Sequence, residues 1–252
     1  MTDTVLSEIR GATHIITINR PQARNAVNLS TAASLKAAFL RGEADPEVKV
    51  QILTGAGGHF CAGADLKAVG TEADKKMRAY MGPSWLELTK PTIAAVEGPA
   101  VAGGLELSLV CDLRIAGQSA FFGVYCRRWG VPLIDGGTVR LPRLIGQSRA
   151  MDMILTGRKV DADEAYSFGL ANRVVPDGQT LEVALEMAEL LATFPQTCLR
   201  SDRQSVLEQW SLPMADALEN EAVCGERAIE EAKVGAARFV SGKGRSGDFS
   251  DI

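Results

Sequence analysis

Apolar and polar residues alternate, or run together, in a way that predicts a strand-rich beginning and a helical end. Ile9 leads through Gly11 into His14-Ile15-Ile16-Thr17-Ile18, two short strands of a hairpin that stop at Arg20-Pro21, where proline removes a ladder donor. Ala32 to Glu43 has helical composition, with Ser30 as the candidate cap and Gly42 with Asp45-Pro46 as the stop. Val48 to Leu53 alternates as a strand and breaks at Thr54-Gly55-Ala56-Gly57-Gly58. Thr71 to Leu88 reads as helix interrupted by Gly82-Pro83, Thr92 to Val96 as a strand closed by Gly98, Ala102 to Val110 as a helix, and Leu113 to Ala116 as a strand. Strand, glycine turn, helix and strand form a βαβ rhythm, so the fold class is α/β. Beyond it, Gly136–Ile145, Arg149–Leu155, Asp163–Phe168, Leu181–Phe194 and Pro213–Phe239 are helical patterns, and the last is the length of a packing helix.

No repeat and no Pro/Ser/Gly-rich linker divides the chain, which predicts a core over 1–195 and a helical region over 196–252 within one overall domain. The tail from Ser241 to Asp248 is polar and glycine-rich and is expected to fray.

With 252 residues, 46% of them hydrophobic, the chain is long enough for a sizeable core. Its 27 Lys+Arg against 31 Asp+Glu leave a net charge of −4 without a basic tract, which argues against nucleic acid. Early acids in place of a basic, apolar leader, and the lack of an apolar run of about 20 residues, predict a soluble cytoplasmic protein with no membrane insertion. Five widely spaced cysteines without a C-x-x-C suggest neither a disulfide framework nor a zinc site, and His14 and His59 lack partners at metal-ligand spacing.

Two turns are dense in small residues, Cys61-Ala62-Gly63-Ala64-Asp65 and Gly98 to Gly104, and each follows a strand. Amides exposed at such turns bind an anion or a carbonyl oxygen that gains charge, although glycines also serve simply to permit tight turns. Neither turn carries the lysine and Ser/Thr of a nucleotide P-loop. Glu106 stands on the apolar stretch Leu105 to Val110. Burial would raise its pKa toward the range of general acid/base catalysis, whereas a solvated glutamate near a helix N-terminus is the alternative.

From Ile93 to Leu113 the chain resembles the signature of the enoyl-CoA hydratase/isomerase (crotonase) superfamily: Ile93-Ala94, Val96-Glu97-Gly98, Ala102-Gly103-Gly104, Leu109 and Cys111-Asp112-Leu113. Further blocks follow in family order: Asn19-Arg20-Pro21 with Asn25-Ala26, Phe60 to Leu66, Gly136-Gly137-Thr138 with Arg140-Leu141, Leu155-Thr156-Gly157 and Gly169-Leu170-Ala171. The resemblance implies a spiral of β-β-α turns with a helical C-terminal trimerisation region, assembled as a homotrimer or a dimer of trimers. It implies an enzyme acting on an acyl-CoA thioester, most directly a hydratase of 2-enoyl-CoA, with isomerase, other lyase or mere acyl-CoA binding as alternatives. No cofactor is implied beyond the coenzyme A of the substrate.

By the same resemblance Ala64 and Gly103 supply the oxyanion amides. Arg24, Ala26, Ala62, Asp65, Leu66 and Lys67 line the coenzyme A groove, and Lys243 reaches a neighbouring subunit's phosphates. A lone surface arginine is the alternative for Arg24. Hydratases of the family use two glutamates; Glu106 matches the first, whereas Cys126 stands where the second belongs. Arg127 and Arg128 are placed to lower the Cys126 pKa, and a small side chain filling the pocket is the alternative. Asp135 is the other candidate acid, or an ordinary cap of the helix that starts at Gly136.

Overall fold

The computed structural model describes residues 3–68 and 79–243. The hairpin forms as the pattern predicts, from β1 (Val5–Arg10) and β2 (Thr13–Ile18), antiparallel and joined at Gly11. Helix α1 (Leu29–Ala44) begins three residues before the expected Ala32, because Asn28 rather than Ser30 is the cap: its Oδ1 accepts from the Thr31 amide at 3.0 Å. Gly42 lies inside the helix and does not stop it; Ala44 is the last helical residue. Strands β3 (Val50–Gly55) and β4 (Thr92–Val96) follow, then β5 (Pro99–Val101), α2 (Gly103–Val110), β6 (Leu113–Gly117) and β7 (Phe121–Gly123).

The second half holds α3 (Gly137–Ile145), α4 (Gln147–Thr156), β8 (Val160–Asp161), α5 (Ala162–Ser167), β9 (Arg173–Val175) and α6 (Thr180–Thr193). Helices α7 (Gln196–Glu208), α8 (Met214–Glu226) and α9 (Ile229–Val240) end the described chain. Of the predicted helix over Thr71–Leu88, residues 71–78 lie outside the described residues, and 79–88 correct the expectation: they hold no α-helix, only a single 3-10 turn at Pro83–Trp85 where Gly82-Pro83 interrupts the pattern. The predicted stretch from Pro213 to Phe239 is two helices, parted at Arg227-Ala228.

Two sheets result, ordered β1-β2-β3-β4-β6-β9 and β5-β7-β8. After β4 the chain gives β5 to the small sheet, then helix α2, then β6 to the large sheet again, and so winds between the two. From β2 to β9 the strands of the large sheet pair in parallel, and β2, β3 and β4 are buried on both faces, as parallel strands usually are. Ile16, Ile18 and Leu53 pack with Leu35 and Phe39 of α1 on one face. Val50, Ile52, Ile93, Ala95 and Ile115 pack under Ala184 and Ala188 of α6 on the other. Helix α7 lies within the region read as helical over 196–252, whereas the short strands β5, β7, β8 and β9 are additions to the sequence expectation. They are held by pairing and packing partners far along the chain, such as Pro99 with Phe121 and Ile115 with Arg173, and not by a local pattern.

Candidate functional site

The site forms where the chain leaves β3 and β4. After β3 the segment at 60–61 runs beside β5: the Phe60 amide donates to the Glu97 carbonyl at 2.7 Å, Cys61 to Pro99 at 2.9 Å, and Val101 back to Cys61 at 3.1 Å. The two small-residue turns therefore touch. A Cβ at Gly104 would lie 2.0 Å from the Cys61 carbonyl oxygen, and one at Gly63, whose φ is +96°, would lie 2.9 Å from the Gly103 nitrogen. Only glycine permits that approach. Ala102 just before α2 holds φ +53° and ψ −124°, a conformation that side chains rarely adopt, and so aims the next amide. Among the described residues neither the Ala64 nor the Gly103 N–H finds an acceptor. Gly103 opens α2, where first-turn amides are unpaired by geometry and the helix dipole is positive. Two such donors on adjoining turns suit an oxygen that gains negative charge.

Glu106 lies one turn further along α2 and is only 2% exposed. It is not the solvated helix glutamate. Its Oε1 accepts from the main-chain amides of Asp135 (2.9 Å) and Gly137 (2.8 Å), while Oε2 has no donor among the described residues. Burial pushes its carboxyl up to about 7 from 4.5; the Gly137 amide opposes this, the Asp135 charge adds to it, and the Asp135 amide and Arg140 pull it back. A carboxyl that titrates near neutrality, with one oxygen anchored, is fitted to take and return a proton.

Asp135 is also 2% exposed. It does not cap α3, since Gly136 occupies that position and no side-chain cap bond forms. Instead its Oδ1 accepts from the Met81 amide at 2.9 Å and from Ser84 Oγ, and burial raises its pKa. Cys126 is buried in the 3-10 turn Tyr125–Trp129. The expectation that Arg127 and Arg128 lower its pKa is corrected: burial first, then the Glu106 charge, push the thiol up, and Arg127 pulls it down too little to matter. Arg127 turns its Nε to the Ile154 carbonyl at 3.1 Å, and Arg128 lies over the Tyr125 ring at 4.3 Å.

Segment 24–27 runs beside 62–65. The Arg24 carbonyl accepts from Ala62 at 3.0 Å, Val27 donates to Gly63 and Asp65 to Val27, each at 2.8 Å. Along this rim Arg24, Leu66 and Lys67 are exposed, and Ala26 and Ala62 are half-buried. The Asp65 carboxylate is engaged, in an ion pair with Arg20 at 2.9 Å. Arg20 also donates to the Ala26 carbonyl and so locks the two segments together. Lys243 stands past α9, which packs on α7, and its amide donates to the Arg238 carbonyl at 3.2 Å; among the described residues no bond ties it to this rim. His14 belongs elsewhere, in a polar chain with Ser7 (2.5 Å) and Gln51 (3.2 Å). No cluster of three or more His, Cys, Asp or Glu among the described residues has the form of a metal site.

Residues that sequence reasoning missed are Met81 and Ser84, which hold Asp135, and Arg140, which donates to the carbonyls of Asp135 (3.0 Å) and Ser84 (2.7 Å). The interruption Gly82-Pro83-Ser84 was their one visible signal.

Comparison with known proteins bears on the same residues. Residues 8–245 match the family described as Enoyl-CoA hydratase/isomerase. The chain is 40% identical to enoyl-CoA hydratase EchA19 of Mycobacterium tuberculosis, over 93% of this chain and 92% of that protein. It is 34% identical to (E)-benzylidenesuccinyl-CoA hydratase of Thauera aromatica, over 83% and 84%. Among solved structures, a probable enoyl-CoA hydratase/isomerase of Mycobacterium abscessus superposes with a TM-score of 0.86 at 41% identity, covering 96% of each chain. The enoyl-CoA hydratase of Bacillus anthracis gives 0.88 at 32% identity, covering 95% of this chain and 96% of its own. The matched stretch contains both turns, Glu106 and the loop that holds it, and on this evidence the chain belongs to the enoyl-CoA hydratase/isomerase family.

Proposed function

We propose that the protein is an acyl-CoA lyase that adds water to a 2-enoyl-CoA. The observation that carries this reading is the pairing, on one short helix, of an unpartnered Gly103 amide with a buried, anchored Glu106. The thioester oxygen sits against the Ala64 and Gly103 amides. Ionised Glu106 takes a proton from water as the oxygen bonds to Cβ, and the π electrons move to an enolate held by the two amides. The same carboxyl returns the proton to Cα, so H and OH arrive from one reservoir and the charge balances. The reaction asks for no resident cofactor. Arg24 and Lys67 meet the coenzyme A phosphates on the rim beside Ala26, Ala62, Asp65 and Leu66. Lys243 serves a neighbouring subunit of a homotrimer or dimer of trimers, a state supported by apolar side chains exposed on the last helices, among them Val206, Leu218, Val223 and Val234.

Cys126 favours a second reading. A buried neutral thiol beside Glu106 leaves a single free carboxyl oxygen, which suffices to move a proton between C2 and C4 of a 3-enoyl-CoA without water. Mass spectrometry after incubation with 2-enoyl-, 3-enoyl- and 3-hydroxyacyl-CoA separates the two. Gain or loss of water marks hydration, and deuterium uptake at unchanged elemental composition marks isomerisation. Glu106→Gln lowers either rate by about 10²–10⁴-fold while the thermal shift given by acyl-CoA persists. Cys126→Ala leaves the rate near wild type if the thiol only packs, and Cys126→Glu raises hydration. No shift with acyl-CoA would remove the reading altogether.

A further inference from the structure

Asp135 lies between two segments far apart in sequence. Its Oδ1 receives the Met81 amide and Ser84 Oγ, its carbonyl receives Arg140, Arg140 also reaches the Ser84 carbonyl, and the Trp85 indole donates to the Ile134 carbonyl at 3.3 Å. The stretches around 81–85 and 134–137 are thereby tied by side chains alone. Each carries something the chemistry needs. On the first, Met81 lies against Gly103: a Cβ there would come within 2.5 Å of Met81 Sδ. On the second, the amide of Asp135 itself donates to Glu106 Oε1.

We propose that Asp135 is a positioning residue for Glu106 and not a second proton donor: its carboxylate clamps the loop before α3 to the Met81 segment, and its amide, fixed by that clamp, orients the Glu106 carboxyl. The inference rests on Glu106 being the acid/base group. The two carboxyls differ in what their donors join: Asp135 Oδ1 takes both of its donors from the Met81–Ser84 segment and so links that segment to the loop before α3, whereas Glu106 is held by that loop's own amides. A buried carboxylate is well suited to hold two donors at once. Its charge acts too. The groups that act on Glu106 are Asp135 and the Asp135 and Gly137 amides from the loop, Arg140 from α3, and Cys126 from the 3-10 turn; of these, Asp135 opposes ionisation and Arg140 favours it.

Two substitutions separate clamp from acid. Asp135→Asn keeps an Oδ1 that accepts from Met81 and Ser84 but removes the charge, and Asp135→Ala removes both. The clamp predicts that Asp135→Ala lowers kcat by about 10–100-fold with KM changed by less than about threefold, and that Asp135→Asn loses less than about tenfold. In Asp135→Asn the acid limb of the kcat profile also moves to lower pH, because a like charge has gone. Infrared titration of the Glu106 carboxyl, its band identified by its loss in Glu106→Gln, measures the same displacement in resting protein. Equal, large losses in Asn and Ala would make Asp135 a proton donor and overturn the proposal. So would a Glu106 titration unmoved in Asp135→Asn. A displaced titration in a protein that turns over no enoyl-CoA supports the clamp and sinks the hydratase reading instead.

Discussion

The two ends of α2 solve the same problem in opposite ways. At the C-terminal end the carbonyls are left without helical partners, and Arg114, 2% exposed, answers them: its guanidinium donates to the carbonyls of Ser108 (3.1 Å), Cys111 (2.6 Å) and Asp112 (3.0 Å), and to Leu170 (2.6 Å) across the fold. A cation there also complements the helix dipole. At the N-terminal end no side chain among the described residues answers the Gly103 amide, and the nearby Glu106 keeps one oxygen without a donor among them. One end is closed for stability and the other is left open for a ligand. Eight residues of helix thus show that burial of charge by itself does not mark a functional site; the incomplete set of partners does.

Arg114 should therefore govern stability and leave the chemistry alone. Arg114→Met removes the donor from three buried carbonyls and the part-buried one of Asp112, and each buried group left unsatisfied costs about 1–3 kcal/mol. We expect a loss of about 3–5 kcal/mol in urea unfolding at fixed protomer concentration, partly recovered in Arg114→Lys, whose single ammonium cannot span the fork. Turnover per folded molecule should stay near wild type. A stable Arg114→Met protein with depressed turnover would erase the distinction between the two ends.

Glu106 should behave in the reverse manner, limiting stability in exchange for reactivity. Its carboxyl titrates near 7 in the folded chain and near 4.5 when unfolded, so between those values the folded state binds the extra proton. Stability then falls as pH rises from 4.5 to 7 and stays lowered above. Two and a half units correspond to about 3 kcal/mol. Glu106→Gln, which still accepts from the Asp135 and Gly137 amides, should be the more stable protein by up to about 3 kcal/mol at pH 8 and about equal to wild type at pH 4. Parallel pH dependence of unfolding in the two proteins would show that the site carries no such strain.

Glu106 was legible because a lone carboxylate on an otherwise apolar stretch demands an explanation, and the family blocks placed Ala64 and Gly103 beside it. The parallel strands were legible too, β3 from the alternation over Val48 to Leu53 that breaks at the glycines after it and β4 from the run Thr92 to Val96 closed by Gly98. What local pattern could not give was the pairing at distance. Met81 and Ser84 reach Asp135 across 54 and 51 positions, so a glycine-flanked aspartate looked like a helix cap. At Cys126 the sequence left two alternatives open, a thiol lowered by Arg127 and Arg128 or a small side chain filling the pocket. The structure buries the thiol and its tight 3-10 turn sends the arginines to Ile154 and Tyr125, which favours the second. Helix α7 falls in the stretch read as helical over 196–252, but its limits were not legible because only Ser201 within it is buried and it packs on α8 without a clear apolar stripe.

The smallest effect lies at the residue that opens the reactive end. Ala102 holds φ +53° and ψ −124°, and an alanine there stores about 1–3 kcal/mol of backbone strain. Glycine adopts that conformation freely, yet an unfolded chain with an added glycine gains entropy worth about 0.5–1 kcal/mol. Ala102 also places its methyl beside Gly63, contact that glycine forfeits. These terms leave Ala102→Gly more stable by about 1 kcal/mol in urea unfolding. Its turnover should drop severalfold, because a freer residue no longer aims the Gly103 amide. If Ala102→Gly were less stable than wild type and equally active, the open end of α2 would owe its geometry to packing against Gly63 and not to a strained backbone.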